Sequence, residues 1–166
     1  EGAGLTHGSD YLLAPIRPQQ SAPAVSEEEA VVYTHLVQPI LQSKCISCHN
    51  SSKAKGELIM ETEAQLRKGG KSGVLWDSTA ADLGLLLRRI HLPLEDKKHM
   101  APKGKTQLTD EEMAILAQWI RKGADFNLRV ASLDISDTLR ILARTRLGGQ
   151  QNEAYTFAAA DPSVIK

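Results

Sequence analysis

Two cysteines and a histidine crowd into KCISCHN, residues 44–50, and these cysteines are the only two in the chain. On a single helical turn Cys45, Cys48 and His49 fall at i, i+3 and i+4, so two sulfurs and one imidazole share a face. Three chemistries use such a cluster. A redox dithiol needs only the C-x-x-C pair, whereas zinc needs both sulfurs and two further ligands. A c-type haem takes each sulfur as a thioether and the imidazole on iron.

The surroundings weigh these differently. A redox dithiol expects a strand leading into the motif within βαβ alternation, but the preceding AVVYTHLVQPILQSK has helical spacing. Zinc would have to recruit distant groups such as His91 and His99, because there is no second cysteine pair. Haem alone uses all three residues.

An iron held by His49 needs a group on its other side. Of the three methionines, Met60 lies in a short apolar run and Met113 on the apolar stripe of a long helix, both packing positions. Met100 is different: it is a flexible apolar side chain in a loop otherwise made of Lys, His, Pro and Gly. It is the candidate sixth ligand, with His99 beside it as the lesser alternative.

The elements that must position these groups are helical. Residues 1–25, rich in Gly, Pro, Ser and Ala, are expected to be an irregular arm or linker. Order should begin at Ser26, N-cap of SEEEAVVYTHL with Glu29 closing a capping box, and Pro39 should kink or restart that helix before the cysteines. METEAQLRK and TAADLGLLLRRI follow as helices, the second weakened slightly by Gly84 and ending near His91. LTDEEMAILAQWIRKGAD carries the clearest signals, with Thr109 and Glu112 as a capping box and Gly123 as the stop. SDTLRILARTRLGG predicts a helix capped by Ser136 and stopped at Gly148. DPSVIK begins another, as though the chain continued in a longer protein. The expected fold is all-α: an arm (1–25), a helical domain around one covalent haem (26–126) and a helical extension or linker to a following module (127–166).

Composition narrows the partners. The formal net charge is zero, which gives no general attraction to nucleic acid or an acidic membrane. No run of 18 or more apolar residues predicts a membrane-spanning helix. Apolar residues make up 42% and aromatics only 4%, so a porphyrin would supply missing flat bulk, although an Ala- and Leu-rich helical protein looks the same. The start at Glu1 without a signal pattern suggests a processed or excised piece.

Taken together, CISCH, KGEL, LLLRRI and HMAPKGKTQLTDEEMAILAQWIRKGAD resemble the planctomycete-type cytochrome c domain, a branch of the class I c-type cytochromes, over about residues 30–126. In that family a proline usually follows the methionine directly, whereas here Ala101 intervenes before Pro102. The resemblance implies thioether bonds at Cys45 and Cys48, His49 as proximal ligand, Met100 as distal ligand and one haem c. It implies electron transfer rather than enzymatic turnover, a periplasmic or otherwise extracytoplasmic location, and a redox partner protein or adjoining redox module. Lys97, Lys98, Lys103 and Lys105 would steer an acidic partner towards the haem edge. Two other functions stay open: a haem sensor or peroxidase-like enzyme with a labile sixth ligand, and a non-haem dithiol or zinc protein.

Overall fold

The computed structural model describes residues 25–159. Among them the chain is helical with long connecting loops and no sheet; two isolated bridges join Val31 to Arg129 and Gly70 to Gly73. The fold class is all-α, as expected. The expected arm up to residue 24 and the DPSVIK helix start lie outside the described residues.

The first helix, α1, is a π-helical stretch Tyr33–Val37 that passes into the α-helix Gln38–Lys44. Pro39 sits in the first turn of the α segment, where its missing N–H costs least. It therefore marks a change of helix type rather than a break. Tyr33, Leu36, Val37, Ile40 and Leu41 are buried along one face, the spacing an amphipathic helix requires.

Four α-helices follow among the described residues. α2 is Glu63–Lys68, capped by the Thr62 side chain; α3 is Leu85–Ile90; α4 is Asp110–Arg121; α5 is Thr138–Ala159. α4 has the full capping box between Thr109 and Glu112, and it buries Ile115, Leu116, Trp119 and Ile120. Trp119 organises the core. Its indole N–H donates to the Asp125 carbonyl at 2.9 Å, while Trp76 and Phe126 meet it edge-on with ring centroids 5.2 Å away. Edge-to-face pairs of this kind contribute about 0.5–1.5 kcal/mol each beyond burial.

Three helix boundaries differ from the sequence expectation. Ser26 heads a turn, accepting the Glu29 and Ala30 N–H groups on its carbonyl, and helix starts only after Val31 has paired with Arg129. The carboxylate of Glu27 is taken by Arg140 and Arg144 instead of serving a first turn. Gly84 does not weaken α3 from within but precedes it as N-cap with φ 100°; a Cβ there would come within 2.7 Å of the Asp77 nitrogen. α5 starts after Asp137, whose carboxylate accepts the Leu139 N–H at 2.9 Å, and it continues through Gly148. A single glycine lowers helix stability by only about 1 kcal/mol, too little to stop a helix anchored by packing. That packing is visible in Leu139, Ala143 and Leu147, which join Val130 and Leu133 in the same buried core as α1 and α4.

Candidate functional site

α1 delivers the cysteines. The Cys45 N–H still donates to the Leu41 carbonyl at 2.9 Å, and the Cys48 and His49 N–H groups then close onto the Cys45 carbonyl at 3.2 and 3.1 Å. The backbone thus stays coiled through the motif. Asn50 ends it: its amide donates to the Ile46 carbonyl at 2.8 Å, and its side-chain oxygen accepts the Ser52 and Lys53 N–H groups.

The coil opens onto a cleft lined mainly by apolar side chains. Cys45, Cys48 and His49 line it from one stretch of chain and Met100 from the loop after α3; Leu58, Met60, Leu75, Leu86, Ile90 and Leu108 supply apolar surface. The structure brings all four sequence-predicted site residues into this one cleft. Met60 is buried and its N–H donates to the His49 carbonyl at 2.8 Å, so it shares the wall beside the histidine.

His49 is held in one tautomer. Its Nδ1–H donates to the Lys55 carbonyl at 3.0 Å, which leaves Nε2 with its lone pair. Burial lowers the imidazole pKa, opposed in part by the Lys55 and Leu58 carbonyls, which favours the neutral ring, the form able to ligate. Burial pushes the Cys45 thiol up to about 12, helped by Glu112 and Cys48. A working dithiol needs the reverse, a stabilised thiolate. The zinc alternative also loses support, because among the described residues no three His, Cys, Asp or Glu side chains are gathered to hold a metal ion.

His99 is not in the cleft lining. It is buried, with Nδ1 2.7 Å from the Leu92 carbonyl and Nε2 2.7 Å from Gln107 Oε1, so both ring nitrogens are engaged within the loop. Of the four lysines expected to form a positive rim, Lys103 is paired with Glu95 at 2.7 Å and Lys105 lines the cleft. Lys44, Lys55 and Arg89 line it as well, and sequence reasoning missed them. Arg89 lies on the cleft side of α3 and donates to the Ser72 hydroxyl at 2.9 Å; the LLLRRI spacing places it one position from Ile90 but does not say which face meets a cavity.

The sequence model of the family described as Planctomycete cytochrome C matches residues 45–104, from the first cysteine of the coil to just beyond Met100. This match supports a planctomycete-type cytochrome c domain at these residues. No curated protein and no solved structure matches it. A cytochrome c domain implies covalent haem c, a redox function and redox partners, and in bacteria such domains are typically extracytoplasmic. Among the described residues no helix is long and apolar enough to cross a membrane.

Proposed function

We propose that the chain is a single-haem electron-transfer module of a larger exported or membrane-anchored protein, with His49 and Met100 as axial ligands and Cys45 and Cys48 as the points of covalent attachment. The observation that carries this reading is the meeting of these four residues in one apolar cleft. Two thiols, one neutral imidazole with a free lone pair and one thioether form a donor set suited to c-type haem, and the surrounding leucines suit its flat apolar body. When bound, the haem supplies one-electron exchange between ferric and ferrous iron.

The chain's own residues do the rest. The Lys55 carbonyl orients the His49 ring and raises its basicity. A thioether from Met100, rather than a second imidazole, favours the ferrous state. If His49 and Met100 both held the iron, a bound haem would have no open coordination site for turnover, which separates this reading from the sensor or peroxidase-like one. Leu58, Leu86 and Leu108 exclude water, so charge changes in a poorly solvated site with little reorganisation. At the mouth, Lys55, Arg89 and Lys105 favour a partner with an acidic face.

The test is a spectroelectrochemical titration of protein matured alongside haem-attachment machinery, with carbon monoxide added to the ferrous form. Reversible one-electron behaviour, pigment retained in acidified organic solvent and slow or absent carbon monoxide binding are expected. Fast carbon monoxide binding with a high-spin ferric form would instead favour the sensor or peroxidase-like function.

A further inference from the structure

Gln107 lies between the Met100 loop and α4, in a stretch, KGKTQLT, whose composition marks it only as polar loop. Its side chain is committed at every polar atom. The amide nitrogen lies 2.9 Å from the Ala101 carbonyl, 3.2 Å from that of Pro102 and 3.1 Å from that of Lys105. The amide oxygen lies 2.7 Å from His99 Nε2. Three carbonyls can face only the donor end of the amide, so its orientation is fixed by chemistry. His99 in turn reaches back to the Leu92 carbonyl at the end of α3.

The same residue is held from the other side of the cleft. Lys44, which directly precedes Cys45, donates from Nζ to the Gln107 main-chain carbonyl at 2.9 Å. The loop has few other ties: its backbone bonds are His99 N–H to the Asp96 carbonyl at 3.0 Å, Met100 N–H to the Arg89 carbonyl at 3.2 Å and Lys105 N–H to the Pro102 carbonyl at 3.0 Å, and Lys103 makes an exposed ion pair with Glu95. Of its side chains only His99 and Ala101 are buried, with Met100 half-buried. A loop with so little apolar anchorage opens locally unless polar bonds close it.

We propose that Gln107 is a positioning residue for Met100: its side chain gathers the 99–105 loop into one shape, and its carbonyl, gripped by Lys44, sets that loop against the cysteine-bearing coil. The inference rests on the reading of Met100 as an iron ligand, and it adds the residue that keeps the thioether in place when the iron changes oxidation state. Replacing Gln107 with a side chain of similar length and no polar atoms frees three carbonyls and one imidazole nitrogen at once.

The experiment compares the matured wild-type holoprotein with Gln107→Met and, as a destabilised control remote from the loop, Leu139→Ala. Two readouts are taken. The first is amide hydrogen exchange at Met100 and Lys105 relative to the core amide of Ile120; in Gln107→Met this ratio should rise at least about tenfold, and in Leu139→Ala it should not rise. The second is the near-infrared sulfur-to-iron charge-transfer band, which in Gln107→Met should fade on heating well before the far-ultraviolet helix signal, while in Leu139→Ala both are lost together. Should Gln107→Met not fold, Gln107→Glu, which turns an oxygen towards the three carbonyls, is read the same way. An unchanged exchange ratio overturns the proposal. A wild-type protein with no sulfur-to-iron band overturns the ligand reading instead, and the exchange ratio then still decides whether Gln107 holds the loop.

Discussion

Lys44 and Gln107, 63 residues apart in sequence, are joined by a 2.9 Å hydrogen bond from the ammonium to the main-chain carbonyl. The same ammonium lies 3.8 Å from the carboxylate of Glu112, and both side chains are nearly buried, at 11% and 10% exposure. One cation thus ties the residue before the first cysteine to the end of the Met100 loop and to the capping box of α4. A nearly buried charge with a hydrogen-bonded carbonyl and a nearby carboxylate is tolerable; removing it leaves the Gln107 carbonyl short of a donor and takes a neighbouring cation from Glu112.

Lys44→Ala should therefore cost more than a surface lysine substitution. The expected loss is about 1–3 kcal/mol, read from urea unfolding of the holoprotein. A loss below about 0.5 kcal/mol, the usual range for surface changes, would mean that the cation is not coupling these segments.

Leu139 is fully buried in α5 against the same core as α1 and α4. Leu139→Ala should destabilise the protein by about 2–5 kcal/mol in the same unfolding experiment. If residues 127–147 were a detachable linker, the substitution would leave the main unfolding transition where it is.

Glu27 gives a pH signature. Hydrogen bonds from Arg144, at 2.9 Å, and from Arg140 hold its carboxyl below the ordinary glutamate range. Because the folded value lies below the unfolded one, about 4.3, the contribution to stability is fully present above that pH. It is lost as pH falls from there through the folded value. The difference in urea midpoint between wild type and Glu27→Gln should accordingly be largest near neutrality and shrink in acid. A difference that stays constant with pH would show that the carboxylate charge plays no part.

The mouth of the cleft should distinguish reagents by charge. Lys55, Arg89 and Lys105 line it, and the hydroxyl of Ser72 that contacts Arg89 carries no compensating charge. Reduction of the matured protein by an anionic complex should be fast at low salt and slow as salt is added, with the opposite trend for a cationic complex. Parallel salt responses for the two reagents would remove the steering role.

The signals that mark the candidate site are local. C-x-x-C-H is contiguous, a methionine among loop residues stands out, and α4 announces both ends through Thr109, Glu112 and Gly123. What could not be read depends on partners far along the chain. Glu27 looks like a first-turn helix acid until Arg140 and Arg144 fold back to claim it, and Val31 pairs with Arg129 before the helix begins. Gly148 looks like a stop, but a helix already anchored by Leu139, Ala143 and Leu147 runs past it. Gln107 is the strongest case, since its importance lies wholly in which carbonyls surround it.

The central claim is that Met100 sits on iron held by His49. Its most direct measurement is the near-infrared sulfur-to-iron charge-transfer band of the oxidised, matured protein, compared between wild type and Met100→Ala. The band should be present in the wild type and absent in the variant, with a lower reduction potential and intact covalent pigment. A band that survives the substitution would assign the thioether to another methionine, Met60 being the one that shares the cleft, and would contradict the account.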